Sequence, residues 1–162
     1  MARVYVSIGS NIDRAANIRA GVARLRARYQ AVVLSTVYET RAVGFDGDDF
    51  YNMVAGFDTE RDVRGVAAEL REIERDAGRG RSAERFVART LDLDLLLYDD
   101  MVLDEGGIKL PREEILSYAF MLGPLAEIAG DMRHPVLGTR IDELWQGFAR
   151  AGQELKPVMF QW

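Results

Sequence analysis

Apolar and polar residues alternate from Arg3 to Ile8, with Val4, Val6 and Ile8 on one face, and predict a strand running from an edge into the core. Gly9-Ser10-Asn11 are turn formers and are expected to end it. From Ala15 the period changes: Ile18, Val22, Leu25 and Tyr29 recur at helical spacing between arginines, with Asp13 as the expected N-cap. Val32 to Tyr38 and Tyr51 to Phe57 predict two more strands, separated by a Gly- and Asp-rich loop from Thr40 to Asp49. A second helix is expected from Asp62 to Ala77, because Val63, Val66, Ala67, Leu70 and Ile73 form one stripe. Leu91 to Tyr98 alternates again, placing Leu91, Leu93, Leu95 and Leu97 on one face and Asp92 and Asp94 on the other.

That order, strand-helix-strand-strand-helix-strand, is the split βαβ, ferredoxin-like order, in which both helices cover one face of an antiparallel sheet. Short strands near Met101 to Leu103 and Ile108 to Leu110 follow, then helical patterns at Phe120 to Ala129 and Ile141 to Ala149. These C-terminal additions can cover the other face, so the expectation is an α+β fold of three αβα layers, one domain over residues 1–162.

Composition narrows the function. A net charge of -5 argues against broad binding of nucleic-acid backbones, although a local basic loop can still capture a small anion. With no cysteine, disulfides, thiolate nucleophiles and cysteine-ligated zinc are excluded together. His134 is the only histidine, so a triad or a histidine pair has one residue to work through. Neither a leader pattern nor a membrane-length apolar run is present, and a cytoplasmic location is the expectation.

Asp92 and Asp94 carry the sharpest chemical signal. Two apart on a strand, they point the same way with backbones roughly 6 to 7 Å apart, and their carboxylates can share a hard divalent cation with nucleotide phosphates. The plain alternative is a solvated sheet face, but aspartate is depleted in strands. Just before them, Gly78 to Arg89 holds Arg79, Arg81, Arg85 and Arg89, a cationic loop whose planar forks suit phosphate oxygens. Alone it reads as a charged surface loop; beside metal-binding carboxylates it completes a phosphoryl-transfer site. No Walker loop, dinucleotide fingerprint or kinase H-R-D is present, and Asp46-Gly47-Asp48-Asp49 lacks the spacing of a calcium loop, so it reads as a solvated loop.

The run Gly78-Arg79-x-Arg81 through Arg85-Phe86-x-x-Arg89-Thr90-Leu91-Asp92-Leu93-Asp94 resembles the signature of the 6-hydroxymethyl-7,8-dihydropterin pyrophosphokinases of folate synthesis. Ile8-Gly9-Ser10-Asn11, Tyr38-x-Thr40 to Gly44, Asn52 and Phe120-x-Leu122-x-Pro124-Leu125 with Glu127-Ile128-Ala129 agree with it. The resemblance implies transfer of the β,γ-pyrophosphoryl group of ATP, the co-substrate, to the pterin hydroxymethyl oxygen by a monomer with two magnesium ions. It implies Asp92 and Asp94 as metal ligands, Arg79 and Arg89 on the transferring group, and Glu74, Arg81, Arg85 and Arg112 at ATP. The pterin would lie between Phe50 and Phe120, read by Asn52 and by the backbone at Thr40, Val43 and Gly44.

Four positions depart from the family pattern: Arg112 replaces a usual histidine, Tyr118 an arginine, Phe86 a tryptophan and Ala88 a proline. Arg112 and Tyr118 are expected to alter nucleotide or pterin binding without removing the chemistry; compensation between them through a shared ligand is left open, as is a paralogue of a methanopterin-type pathway. Two other classes remain beside the enzyme. An RNA-binding sheet lacks the expected aromatic-rich strand here, and a ligand-sensing domain would be separated by its failure to turn ATP over to AMP.

Overall fold

β1 (Ala2–Ser10) is an interior strand next to the sheet edge. In the computed structural model, which describes residues 1–42, 47–78 and 90–162, it pairs antiparallel with β4 (Phe50–Thr59) on one side and β5 (Asp92–Tyr98) on the other. β2 (Val33–Leu34) and β3 (Val37–Thr40) pair with the far side of β4, and β8 (Lys156–Val158) extends the sheet beyond β3. The order β5-β1-β4-β3-β8 therefore contains the ferredoxin-like split βαβ arrangement, widened by one strand. β6 (Leu103–Glu105) and β7 (Ile108–Leu110) form a separate hairpin, turned by Gly106 and Gly107 at φ 61° and 80°.

Helices cover both faces. α1 (Arg14–Arg28) and α2 (Val63–Gly78) enclose one core with Val4, Val6 and Ile8 of β1 and Met53 and Phe57 of β4. α3 (Ala119–Ala129) and α4 (Ile141–Gln146) enclose the other around Tyr5, Val54, Leu96, Leu122 and Leu125. The three αβα layers follow from a sheet that buries apolar residues on both faces: Val4, Val6 and Ile8 on one, Tyr5, Val54, Leu96 and Leu97 on the other. An RNA-recognition sheet needs the second face open; here α3 lies on it.

Several local expectations are corrected. β1 does not stop before Gly9 but continues through Ser10, and it is an interior strand. Asp13 sits before α1 in a left-handed conformation, φ 41°, and makes no side-chain cap. By contrast Asp62 caps α2, its Oδ1 accepting from Gly65 N–H at 2.8 Å. The stretch Val32 to Tyr38 is two strands. Ser35 bonds Val54 through backbone and hydroxyl, and Glu127 of α3 accepts from Thr36 N–H and Oγ1, so the pairing slips by one residue before Tyr38 meets Asn52. In β5, Val6 faces Leu95 and Tyr5 faces Leu97, leaving Leu96 as the extra residue of a bulge. That bulge moves Leu97 to the α3 core, away from Leu91, Leu93 and Leu95. β6 begins at Leu103, α4 ends at Gln146, and β8 had no forecast in the pattern.

Gly56 in β4 lies opposite Tyr5, and a Cβ there would stand 2.7 Å from the Tyr5 ring. Gly56→Val is expected to lower stability by roughly 2 kcal/mol through overpacking. Denaturant melts of the two proteins check this, and an unchanged midpoint would show that the ring yields freely.

Candidate active site

Three adjacent strands align Asn52, Gly9 and Asp92 in one row: Gly9 is paired with Asn52 on β4 and with Asp92 on β5. Directly opposed residues of antiparallel strands project to the same face. In the next row Asp94 lies opposite Ser7 and Ser7 opposite Val54, which is buried under α3, so the whole row faces the α3 side. Strand spacing puts Asn52 and Asp92 about 10 Å apart across the glycine. A Cβ at Gly9 would lie 2.5 Å from Asn52 Oδ1, so only glycine accommodates the Asn52 amide that packs against it. Gly9 is thus a strand residue and not a turn former, and its place directly after the alternating run Val4 to Ile8 is the signal for it.

On the β5 side, Asp92 and Asp94 share a cavity of about 310 Å³ with Glu74, Arg71, Lys109 and Arg112. Glu74 reaches over the sheet edge from the end of α2, and its Oε2 accepts from Leu93 N–H at 2.9 Å. Burial pushes its carboxyl up to about 7; a hydrogen bond with Asp92 and the charges of Asp92 and Asp94 act in the same direction, against the Leu93 N–H. Arg112 is seated by its N–H on the Leu96 carbonyl at the bulge, 3.0 Å, and its Nη2 stands 3.4 Å from Asp94 Oδ1. Its buried Nε makes no hydrogen bond and lies 3.4 Å from Glu114 Oε2. Among the described residues no three His, Cys, Asp or Glu side chains group around a cation position. Asp92 and Asp94 supply two hard oxygen donors, a set suited to a cation whose shell is completed by water and phosphate oxygens.

On the β4 side, Asn52 is buried and donates from Nδ2 to Thr40 Oγ1 at 2.6 Å. Thr40 lies opposite Phe50 in the β3–β4 pairing, so Phe50, Thr40 and Asn52 share the face of the row. Thr40 and half-buried Phe120 line a second cavity of about 410 Å³ with Glu39, Arg41 and residues 152–156. Phe120 stacks on Tyr118, centroids 5.1 Å apart. The structure thus gathers Glu74, Asp92, Asp94 and Arg112 in one cavity, and Thr40 and Phe120 in another. Arg79, Arg81, Arg85, Phe86, Ala88 and Arg89, with Val43 and Gly44, lie outside the described residues. So does Asp46; of its loop, Gly47, Asp48 and Asp49 are exposed, and the Asp48 and Asp49 carbonyls accept from Asn11 and Arg14.

His134 belongs to neither cavity. It is buried in the α3–α4 connection, where its Nδ1 accepts from Val136 and Leu137 N–H at 3.2 Å each, and burial lowers its pKa. Its work is to hold that turn.

The Glu74 shift has a pH signature in the protein without ligands. A carboxyl with a raised folded pKa favours the fold while protonated; that stabilisation is complete below about 4.5 and is lost as pH rises through about 7. Glu74→Gln keeps an acceptor for Leu93 N–H without the charge. It is expected to melt higher than the parent at about pH 8 and close to it at about pH 5. Thermal melts in chelator at both pH values check this, and the same difference at both would remove the assignment.

Comparison with known proteins gives the arrangement its relatives. The family model described as 7,8-dihydro-6-hydroxymethylpterin-pyrophosphokinase matches residues 5–130. A Pseudomonas aeruginosa 2-amino-4-hydroxy-6-hydroxymethyldihydropteridine pyrophosphokinase is 35% identical over 159 residues, 96% of this chain and 97% of that one. The Aquifex aeolicus protein of the same name is 33% identical over 140 residues, 84% of this chain and 86% of its own. A folic acid synthesis protein of Pneumocystis carinii is 29% identical over 159 residues, of which this chain spans only 21% of the length. In fold, the chain resembles a crystal structure of Plasmodium falciparum HPPK-DHPS, with a TM-score of 0.68 at 12% identity, covering 90% of this chain and 43% of that one. A crystal structure of HPPK-DHPS in complex with substrates gives 0.71 at 9% identity, over 93% and 44%. With the family match spanning most of its length and two relatives above 30% identity nearly end to end, the chain belongs to the 7,8-dihydro-6-hydroxymethylpterin-pyrophosphokinase family.

Proposed function

We propose that residues 1–162 form one pyrophosphokinase domain that transfers the β,γ-pyrophosphoryl group of ATP to the hydroxymethyl oxygen of 6-hydroxymethyl-7,8-dihydropterin, giving AMP and the pterin diphosphate for folate synthesis. It acts as a cytoplasmic monomer with two magnesium ions; among the described residues no helix is long and apolar enough to cross a membrane. The observation that carries the reading is the row Asn52–Gly9–Asp92, which sets a heterocycle-reading amide and a cation-holding carboxylate on one face across a bare glycine.

In this reading the Thr40 hydroxyl fixes Asn52, whose remaining polar groups read the hydrogen-bonding edge of the pterin. Phe50 and Phe120 hold its faces, as flat heterocycles prefer aromatic stacking. Gly9, lacking a Cβ, lets the Asn52 amide pack against β1 in the row that ends at Asp92, and the hydroxymethyl arm would point along that row. Asp92 and Asp94 would hold magnesium, which when bound neutralises phosphate charge and aligns the transferred group. The pterin oxygen bonds to the β-phosphorus, the bond from that phosphorus to the α-phosphate bridging oxygen breaks, and the hydroxyl proton leaves. Glu74, beside Asp92 and bonded to Leu93 N–H, is assigned to ATP by the family motif. Arg79, Arg81, Arg85 and Arg89 are assigned to the phosphates by the family motif.

The test is turnover. AMP is expected from ATP and the pterin alcohol with magnesium, and neither substrate alone should yield it. Asp92→Asn and Asp94→Asn are each expected to lower kcat by at least about a hundredfold with little change in melting temperature, since neither side chain fills a core. Near-normal turnover in either variant at saturating magnesium would sink the metal assignment.

The two departures separate in the structure. Arg112 stands at Asp94, whereas Tyr118 stacks on Phe120. Independent effects are therefore expected instead of compensation: Arg112→His shifts the KM for ATP, Tyr118→Arg shifts the KM for the pterin, and the double variant is additive within about 0.5 kcal/mol. Steady-state kinetics of the four proteins check this; non-additivity would restore the shared-ligand view. A methanopterin-type pathway is favoured only if the parent handles hydroxymethyl-dihydropterin poorly and Tyr118→Arg restores it.

A further inference from the structure

α3 begins without a cap of its own. Tyr118, at its N-cap position, makes no side-chain cap bond. Pro124, inside the helix, lacks the N–H that would bond the Phe120 carbonyl four residues back. The first turn of α3, which carries Phe120, is thus weakly held from within.

The missing partner arrives from the C-terminal segment. Gln153 Oε1 accepts from Ala119 N–H at 2.9 Å, and its Nε2 donates to the Ser117 carbonyl at 3.1 Å, so one amide clamps both sides of Tyr118. A tight turn delivers it: Ala151 and Gly152 have φ 47° and 84°, and Gln153 N–H closes on the Arg150 carbonyl at 2.7 Å. A second hold lies one helical turn on. A Cβ on Gly123 would stand 2.5 Å from Leu155 Cδ1, so the glycine makes room for that leucine. Lys156 then joins β3 opposite Glu39. Gly152 to Lys156 therefore bridges α3 and β3 and lines the cavity that Thr40 and Phe120 share. The family match ends at residue 130, so this bridge lies beyond it.

We propose that the segment Gly152 to Lys156 is a wall of the pterin pocket and that Gln153 is its positioning residue, fixing the first turn of α3 and with it the Phe120 ring. The inference rests on the reading of that cavity as the pterin site. Gln153 touches neither reacting group, so its loss should weaken pterin binding selectively and leave the carboxylate cavity as it was.

Steady-state kinetics of the full chain, with the pterin alcohol and ATP varied separately, test this in the parent, Gln153→Ala and Gln153→Glu. Gln153→Ala is expected to raise the pterin KM roughly fivefold, the usual worth of a helix cap, with kcat and the ATP KM within about twofold of the parent. Gln153→Glu keeps the acceptor for Ala119 N–H but loses the donor to the Ser117 carbonyl, so its pterin KM should fall between those of the parent and Gln153→Ala. If Gln153→Ala melts too low to assay, Gln153→Asn, which keeps the amide but shortens its reach, is expected to show the same selective rise. An unchanged pterin KM in the shortened variant, or an equal rise for ATP, overturns the inference alone. A parent that makes no AMP from ATP and the pterin alcohol overturns it together with the function on which it rests.

Discussion

Antiparallel pairing of β1 on both sides at once is the constraint on which the rest depends. Because opposed residues share a face, that pairing carries one direction across three strands and lines up Asn52, Gly9 and Asp92. A slip of one residue on either side would send Asn52 or Asp92 into the apolar layer under α1 and α2, where an amide or carboxylate has no partners. Burial of Val4, Val6 and Ile8 therefore fixes the position of the polar row as firmly as it fixes the core.

Two irregularities complete the site. At Ser35 and Thr36 the slipped pairing lets Glu127 of α3 bind Thr36 and the Tyr38 hydroxyl, which ties that helix to the strand leading to Thr40. At Leu96 the bulge turns Leu97 into the α3 core and seats Arg112 on the Leu96 carbonyl, beside Asp94. Regular strands would have kept the two cores, but they would have left α3 and Arg112 without these holds. The bulged edge and the added β8 are thus where a general ferredoxin-like frame becomes a particular pair of cavities.

The electrostatics divide along the same line. Around β5, three carboxylates and an arginine sit close together, and burial, with the neighbouring Asp92 and Asp94, holds the Glu74 carboxyl above its ordinary value. Around β4, the buried Asn52 amide bonds the Thr40 hydroxyl and Phe120 stacks on Tyr118, while Glu39, Arg41, Glu154 and Lys156 bring charge of both signs to the cavity wall. In the proposed function the first cavity takes cations and phosphates and the second the pterin.

Local pattern alone determined the order of the split βαβ core and of the helices after it, though not β8 or the break between β2 and β3, since burial of one face requires period 2 in a strand and 3.6 in a helix, and both are written in the side chains. It also determined that Asp92 and Asp94 share a face, because that follows from alternation within one strand. Tertiary structure alone decided what depends on pairing between distant segments: that Gly9 lies inside a strand between Asn52 and Asp92, that Leu97 leaves its leucine row, and that Asp13 fails to cap α1. The same holds for Gln153, whose amide meets α3 through a backbone N–H and a carbonyl. Every residue but proline carries both groups, so no side-chain pattern could announce which ones the chain would bring together.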